Sequence, residues 1–229
     1  MRIGLAVVAT GKYIRFVELL ARSAREFLCP THVVTLYVLT DGEIEDQRGA
    51  YVVELSWKHE PWPGPTIHRY RALLEYQWIL ERFNDYLFLC DADMRFVAPV
   101  GDEILGDLVG TIHPGFWNKP RSQFTYENRP NSTACIESGS GNRYYAGGFQ
   151  GGSTARYLSA CRELSERIDV DEANGITAVW HDESHWNRYL FEHPPTVELD
   201  PGYCYPESWN LPFERKVLAL DKNHAAMRA

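Results

Sequence analysis

Two carboxylates one residue apart, Asp91 and Asp93, close the apolar run Tyr86-Leu87-Phe88-Leu89-Cys90. A run of that length reads as one buried strand of a parallel sheet, and open α/β sheets bind ligands at the carboxyl ends of such strands. On a tightly turned backbone the two side chains converge on one hard cation through oxygen. Mg²⁺ or Mn²⁺ suits such carboxylates, and both ions commonly hold substrate phosphates as well. The same tripeptide also fits a solvated turn after a core strand, so the rest of the chain has to decide between the two readings.

A second polar stretch is Trp180-His181-Asp182-Glu183-Ser184-His185. His181 and His185 stand four apart, the spacing of two zinc ligands on one helix face. The metalloprotease signature needs its Glu directly after the first His, and here Glu183 comes one position later, rotated by about 100° around a helix. Asp182 and Glu183 also fit a plain role at a helix N-terminus, where negative charge meets the dipole. The third reading is a catalytic carboxylate beside an aromatic platform, the arrangement of glycosyl chemistry. At the C-terminus, Lys222-Asn223-His224-Ala225-Ala226-Met227-Arg228 is either a frayed end or a basic segment that folds over a bound diphosphate and stabilises a leaving group.

These groups need a scaffold, and the chain supplies an α/β pattern. Ile3 to Thr10 reads as a first strand, and Gly11-Lys12-Tyr13 turns into a helix with Phe16, Leu19, Leu20, Ala24 and Phe27 at helical spacing, stopped at Cys29-Pro30. Val33 to Leu39 and Val52 to Leu55 are further strands, which predicts right-handed crossovers and a mostly parallel sheet. A Pro-rich loop, Glu60 to Pro65, leads to one helix from Thr66 to about Phe83, with Thr66 as N-cap. Trp78 and the other apolar residues of that helix cover more than one face, which predicts burial. Neither G-x-G-x-x-G after the first strand nor G-x-x-x-x-G-K-[ST] occurs, so the usual dinucleotide and P-loop signals are missing.

The second half differs in texture. Val109 to Ile112 is a short strand, followed by a polar and aromatic stretch to Asn142 that reads as loop and hairpin. The glycines of Tyr144-Tyr145-Ala146-Gly147-Gly148-Phe149-Gln150-Gly151-Gly152 either let a ligand approach the backbone or mark a bulge and a turn. A helix to about Ile168, another over Asp182 to about Phe191, and strands at Thr196 to Leu199 and Lys216 to Leu220 complete a single domain.

Composition narrows the function. A net charge of -8 opposes nucleic-acid binding, which needs a positive footprint. Five cysteines, an odd number without C-x-x-C spacing, predict reduced thiols and a cytoplasmic protein. The first strand begins within a few residues of Met1 and no apolar run approaches a membrane span. The expectation is therefore a soluble chain without signal peptide or anchor.

From Val8 to Arg228 the sequence resembles the catalytic domain of the retaining α1,3-galactosyl- and N-acetylgalactosaminyltransferases, the family of the histo-blood-group A and B transferases. The matching strings are Asp91-Ala92-Asp93-Met94-Arg95-Phe96, His113-Pro114-Gly115-Phe116, Phe124-Thr125-Tyr126-Glu127, Tyr144 to Phe149, Ala173-Asn174-Gly175-Ile176, Trp180 to His185 and Lys222-Asn223-His224. Their number and order make the likeness far more specific than the Asp pair alone. It implies a single-domain GT-A type α/β fold, a UDP-sugar donor (UDP-N-acetylgalactosamine or UDP-galactose) and Mn²⁺, with Mg²⁺ as the substitute. Asp91 and Asp93 would hold the metal against the diphosphate. Val8, Thr10, Tyr13 and Arg69 would surround the uridine and ribose, and Lys222 and Arg228 would close over the diphosphate. His113, Thr125 and Trp180 would contact an acceptor galactose in an oligosaccharide, fucosylated or not. Asp182 would bind hydroxyls of the transferred sugar and Glu183 would face its anomeric carbon. Ala146, Gly147 and Gly148 would lie beside the sugar's 2-substituent, where small residues favour the acetamido donor.

The resemblance divides the chain into a UDP-binding half over about 1–100, an acceptor-binding and catalytic half over about 101–220, and a closing tail from 221 to 229. Starting at the first strand, the chain looks like the soluble bacterial or phage-type relatives rather than the anchored mammalian ones. Tyr203-Cys204-Tyr205-Pro206-Glu207-Ser208-Trp209 departs from the mammalian acceptor segment, which has a Trp followed by an acidic residue here. The competing functions are a catalytically silent UDP- or sugar-binding protein on the same fold, and a zinc hydrolase using His181 and His185.

Overall fold

The computed structural model describes residues 1–44 and 51–228, with the side chains of His224 and Arg228 left out. The strand β1 (Arg2–Val8) leads through a 3-10 turn (Gly11–Phe16) into α1 (Val17–Phe27), then β2 (Val33–Thr40) and β3 (Val52–Ser56). Three short helices, α2 (Gly64–Ile67), α3 (Arg69–Glu75) and α4 (Gln77–Phe83), precede β4 (Tyr86–Cys90) and β5 (Met94–Phe96). Next come β6 (Val109–Ile112), β7 (Tyr145–Ser153), α5 (Thr154–Ala173) and α6 (His181–Glu192). The chain ends with β8 (Val197–Leu199), β9 (Tyr205–Pro206), β10 (Val217–Ala219) and α7 (His224–Arg228).

A seven-stranded sheet of order β3-β2-β1-β4-β7-β6-β8 forms the centre. β1 to β4 pair in parallel, β7 runs against β4 and β6, and β8 is again parallel to β6. The sheet is therefore mostly parallel, as the strand-helix-strand spacing predicts. Its period of two sorts side chains between two cores. Ile3, Leu5 and Val7 pack with Leu20 and Ala24 of α1, and Ala6, Leu87 and Leu89 pack with Tyr70, Leu73, Tyr157 and Trp186 on the other face. A smaller sheet, β5-β10-β9, covers the end of the first core and brings the C-terminal segment beside the Asp91 turn.

Three expectations need correction. The single helix from Thr66 is broken at His68 and Tyr76, and Thr66 lies inside α2 rather than capping it. His68 is clamped between Glu60 Oε2 at 2.7 Å and Glu172 Oε1 at 2.8 Å, and the Tyr76 hydroxyl donates to Ser56 O at 2.6 Å. The breaks let the chain bend over the sheet and keep Tyr70, Leu73 and Leu80 inside, while Trp78, expected buried, is 67 % exposed. Between β6 and β7 there is no hairpin, only loop and a 3-10 turn at Arg121–Gln123.

Candidate active site

One cavity of about 750 Å³ opens at the carboxyl ends of β1 and β4, and most of the residues singled out above line it. Strand β4 delivers Asp91 and Asp93 on a tight turn, anchored where the Asp91 N–H donates to Gly148 O at 3.0 Å and the Leu220 N–H to Asp93 O at 2.9 Å. Helix α3 begins at Arg69, whose guanidinium donates to Asp91 Oδ1 and to Gly147 O at 3.1 Å and lies 3.2 Å from Asp182 Oδ2. Arg69 thus ties three elements together. Its Nε is buried without a protein partner.

The carboxylates differ electrostatically. For Asp91, burial works against the charge, but Arg69 and Lys222 outweigh it and hold the group below the ordinary carboxylate range. Asp93 is raised by burial and by the neighbouring Asp91, against the pull of Lys222. Burial pushes Asp182 up to about 7 although Arg69 opposes it, and Glu183 up to about 8 although the Gly147 N–H opposes it.

Glu183 enters from the first turn of α6 with Asp182, where negative charge meets the helix dipole, and both carboxylates also stand in the cavity wall. Gly147 and Gly148 form the facing wall because β7 shifts register there, Gly110 pairing with Gln150 but Thr111 with Ala146. Of the two readings of the glycine stretch the bulge is present, and it bares the backbone of Gly147 and Gly148 to the cavity.

The far end of the cavity is built from Val8, Thr10, Gly11 and Tyr13 with His59, whose Nδ1 is 3.0 Å from Thr10 Oγ1. Lys222 pairs with Asp93 Oδ2 and stands 5.1 Å above the Tyr13 ring. Lys12 Nζ donates to Ala226 O at 2.9 Å, so the C-terminal helix is docked on the 3-10 turn after β1.

On the opposite side are His113 and the exposed Trp180. The Gly115 N–H donates to His113 Nδ1 at 3.0 Å, and burial lowers the imidazole to about 4, so it is neutral with Nε2 carrying the proton. Trp180 Nε1 donates to Thr125 Oγ1 at 2.8 Å.

Three candidates do not line the cavity. Thr125 stands behind Trp180 and acts on the wall through that bond. Ala146 packs into the core, because the bulge that follows it turns Gly147 and Gly148, not Ala146, to the cavity. The Arg228 side chain lies outside the described residues. The zinc reading is overturned: His185 is wholly buried 3.7 Å from Asp171, whereas His181 packs edge-on against Trp62. Sequence reasoning missed His59, Glu60, Trp62 and Met227 in the lining. They come from a Pro-rich loop and a terminal segment, whose approach to the cavity only the tertiary fold specifies.

Asp91 and Asp93 are hard oxygen donors from one turn, each already paired with a cationic side chain. That set fits Mn²⁺ or Mg²⁺ better than a softer metal. Among the described residues no third His, Cys, Asp or Glu joins them, so phosphate oxygens and water would complete the shell.

The model of Glycosyltransferase family 6 matches residues 1–229. Histo-blood group ABO system transferase 1 of Rattus norvegicus is 38% identical over 239 aligned residues, covering 99% of this chain and 68% of the relative. Globoside alpha-1,3-N-acetylgalactosaminyltransferase 1 of Gallus gallus is 36% identical, over 100% of this chain and 69% of its own length. The protein of that name from Homo sapiens is 34% identical with the same coverage.

Proposed function

The chain belongs to glycosyltransferase family 6, and from that premise we propose that it moves N-acetylgalactosamine or galactose from a UDP-sugar to the 3-hydroxyl of a galactoside, with retention at the transferred carbon. The observation that carries the proposal is the meeting, in one cavity, of the Asp91-Asp93 pair, the cationic Lys222 and the buried Glu183. Binding alone would not need the last of these, which weighs against a silent binding protein.

On this reading Thr10, Tyr13 and Val8 cradle the nucleoside, and residues up to about 100 serve the donor. Residues 101–220 serve the acceptor and the chemistry, and the segment from 221 closes over the diphosphate. Asp91 and Asp93 would hold Mn²⁺, or Mg²⁺ in its place, which neutralises charge on the departing diphosphate. Lys222 adds a second positive charge there. Arg69 orients Asp91 and Asp182 at once, so the donor's phosphate and sugar ends are held by one linked network. Asp182 accepts from hydroxyls of the sugar. Trp180 offers an apolar face to the acceptor ring, and His113 Nε2–H donates to one of its hydroxyls.

Glu183 faces the anomeric carbon. Its ionised carboxylate either closes a bond to that carbon or stabilises the positive charge there while the acceptor oxygen enters on the same face. No helix among the described residues is long and apolar enough to cross a membrane. The five free cysteines support the cytoplasm as the place of action.

The test is transfer from UDP-N-acetylgalactosamine and UDP-galactose to lactose, with added Mn²⁺ and in chelator. Asp91→Asn and Asp93→Asn should abolish the metal-stimulated rate in a folded protein. Full wild-type activity in chelator would leave the Asp pair a structural turn, and no transfer to any galactoside would sink the acceptor class.

A further inference from the structure

A second cavity, of about 350 Å³, lies outside the site described above. It opens between the loop after β6, the end of β8 and the segment before β10. Its volume is at the lower end of small-molecule sites, roughly 300 to 1,000 Å³. The two cavities share an aromatic partition. Tyr144 lines the second, while its hydroxyl is a hydrogen-bond neighbour of Glu183; Phe116 lines the second and packs 5.0 Å from His113 of the first.

Its walls have two characters. On one side are rings: Phe116, Phe124 and Trp117, the last 38 % exposed and held edge-on by Phe213 at 5.0 Å. On the other are polar groups of both signs, Lys119 and Arg143 against Glu198 and Asp200, with Asn142 between. The acids are fixed in place. Glu198 accepts from Arg143 at 3.1 Å and from the Tyr145 hydroxyl at 2.9 Å, and Asp200 Oδ1 accepts from the Gly202 N–H at 2.6 Å. The Lys119 ammonium, the Asn142 side-chain amide, the second oxygen of Asp200 and the Trp117 indole N–H have no protein partner among the described residues.

We propose that this cavity is a second saccharide site, taking one neutral pyranose of a glycan. Two cations balance two carboxylates, so neither an anion nor a cation is favoured there. A pyranose has an apolar face for Trp117 and a rim of hydroxyls for the unpartnered donors and acceptors opposite. The glycan has two possible sources, a remote residue of the acceptor chain or a separate oligosaccharide. Only the first rests on the acceptor reading given above.

The test uses the full chain with ¹⁵N-labelled tryptophan indoles, the Trp117 signal being assigned by its loss in Trp117→Phe and the Trp180 signal likewise. The probes are lactose and a linear neutral tetrasaccharide ending in β-galactose. A saturable shift of the Trp117 signal is expected, and Trp117→Ala should weaken binding at this cavity about tenfold while leaving UDP affinity unchanged. A shift with lactose that survives Trp180→Ala identifies an independent glycan site. A shift with the tetrasaccharide alone, lost in Trp180→Ala, identifies an extended acceptor site. If Trp117 moves while Trp180 stays still, the acceptor reading of the first cavity fails and this one stands. A Trp117 signal unmoved by either probe, or moved by glucosamine or N-acetylneuraminic acid more than by neutral sugars, overturns the proposal.

Discussion

The backbone N–H of Gly147 donates to Glu183 Oε2 at 2.9 Å, so the bulged strand β7 and the first turn of α6 meet at one carboxylate. A Cβ on Gly147 would lie 3.2 Å from Asp182 Oδ2, tighter than most real Cβ contacts, and 3.5 Å from Glu183 Cβ, an ordinary contact. The missing side chain leaves room for the Asp182 carboxylate close against the strand. The bond also fixes the Glu183 carboxylate beside Asp182 and the Tyr144 hydroxyl, where a preset orientation needs no rearrangement during reaction.

Glu183→Gln keeps the acceptor oxygen for Gly147 but removes the charge. Turnover should fall at least about a hundredfold, with UDP affinity by calorimetry within a factor of about two, because the lost interaction belongs to the transition state. Near-native turnover would leave Glu183 a structural group.

Burial pushes the Glu183 carboxyl up to about 8 in the ligand-free protein. On the proposed mechanism the ionised form is the active one, so kcat/KM should rise with pH along a limb set near neutrality, well above the ordinary carboxylate range. The same limb should disappear from the residual activity of Glu183→Gln. A profile flat from pH 5 upward would contradict the assignment.

Lys222 holds Asp93, one of the two oxygen donors proposed for the metal. A divalent cation and the Lys222 ammonium therefore compete for one carboxylate until a diphosphate arrives to take the lysine. Lys222→Ala should bind Mn²⁺ about tenfold more tightly without UDP, the scale of one such charge contact, yet bind UDP more weakly. Titration with paramagnetic Mn²⁺ read by water proton relaxation measures the first effect independently of turnover. Unchanged Mn²⁺ affinity would dissociate Lys222 from the metal position.

Glu127 pins the loop carrying Thr125 to the residue before Trp180. It accepts from the Arg129 guanidinium at 2.6 and 2.9 Å and from the Val179 N–H at 2.9 Å. The Arg129 hydrogen bonds hold its carboxyl down to about 2, against an ordinary 4.5. A folded-state value below the unfolded one stabilises the fold above about pH 4.5 and loses that contribution as pH falls toward 2. Glu127→Gln should cost about 2 kcal/mol at pH 7, allowing for the half-exposed Arg129. Its Tm should converge on that of the wild type in acid, as calorimetry across pH would read. A constant gap at all pH values would refute the ionic origin.

The sequence was legible where one face of an element decides its place. The runs ending at Val8 and Cys90 are buried on both sides, and their pattern alone put Asp91 and Asp93 at the sheet's ligand end. The helix over 66–83 was not legible. The break at His68 goes with its contacts to Glu60 and Glu172 and the break at Tyr76 with its hydroxyl on Ser56 O, pairings that no helical spacing signals. The same holds for Ala146. A glycine-rich string does not reveal its register, and only the shift between Gly110 and Thr111 decides which members face the cavity.

The proposed donor choice turns on Gly148. A Cβ there would lie 3.0 Å from both Cys204 Sγ and Met94 Cε and 3.3 Å from Asp91 Oδ2. Cys204 and Met94 back Gly148 from the core without lining the cavity themselves, and Ala146 contributes nothing to its wall. Wild-type protein should prefer UDP-N-acetylgalactosamine, since the bare backbone leaves space for an acetamido group. Gly148→Ala should move the preference toward UDP-galactose by about tenfold, the size of discrimination that one methyl-sized group gives. Met94 is flexible and can yield a few tenths of an ångström, so the effect should grow when Gly148→Ala is combined with Cys204→Val, which stiffens the core backing that holds the new methyl group against the cavity. Competition between the two donors at equal concentration reads the ratio directly. A ratio unchanged by Gly148→Ala would assign donor choice to another part of the cavity.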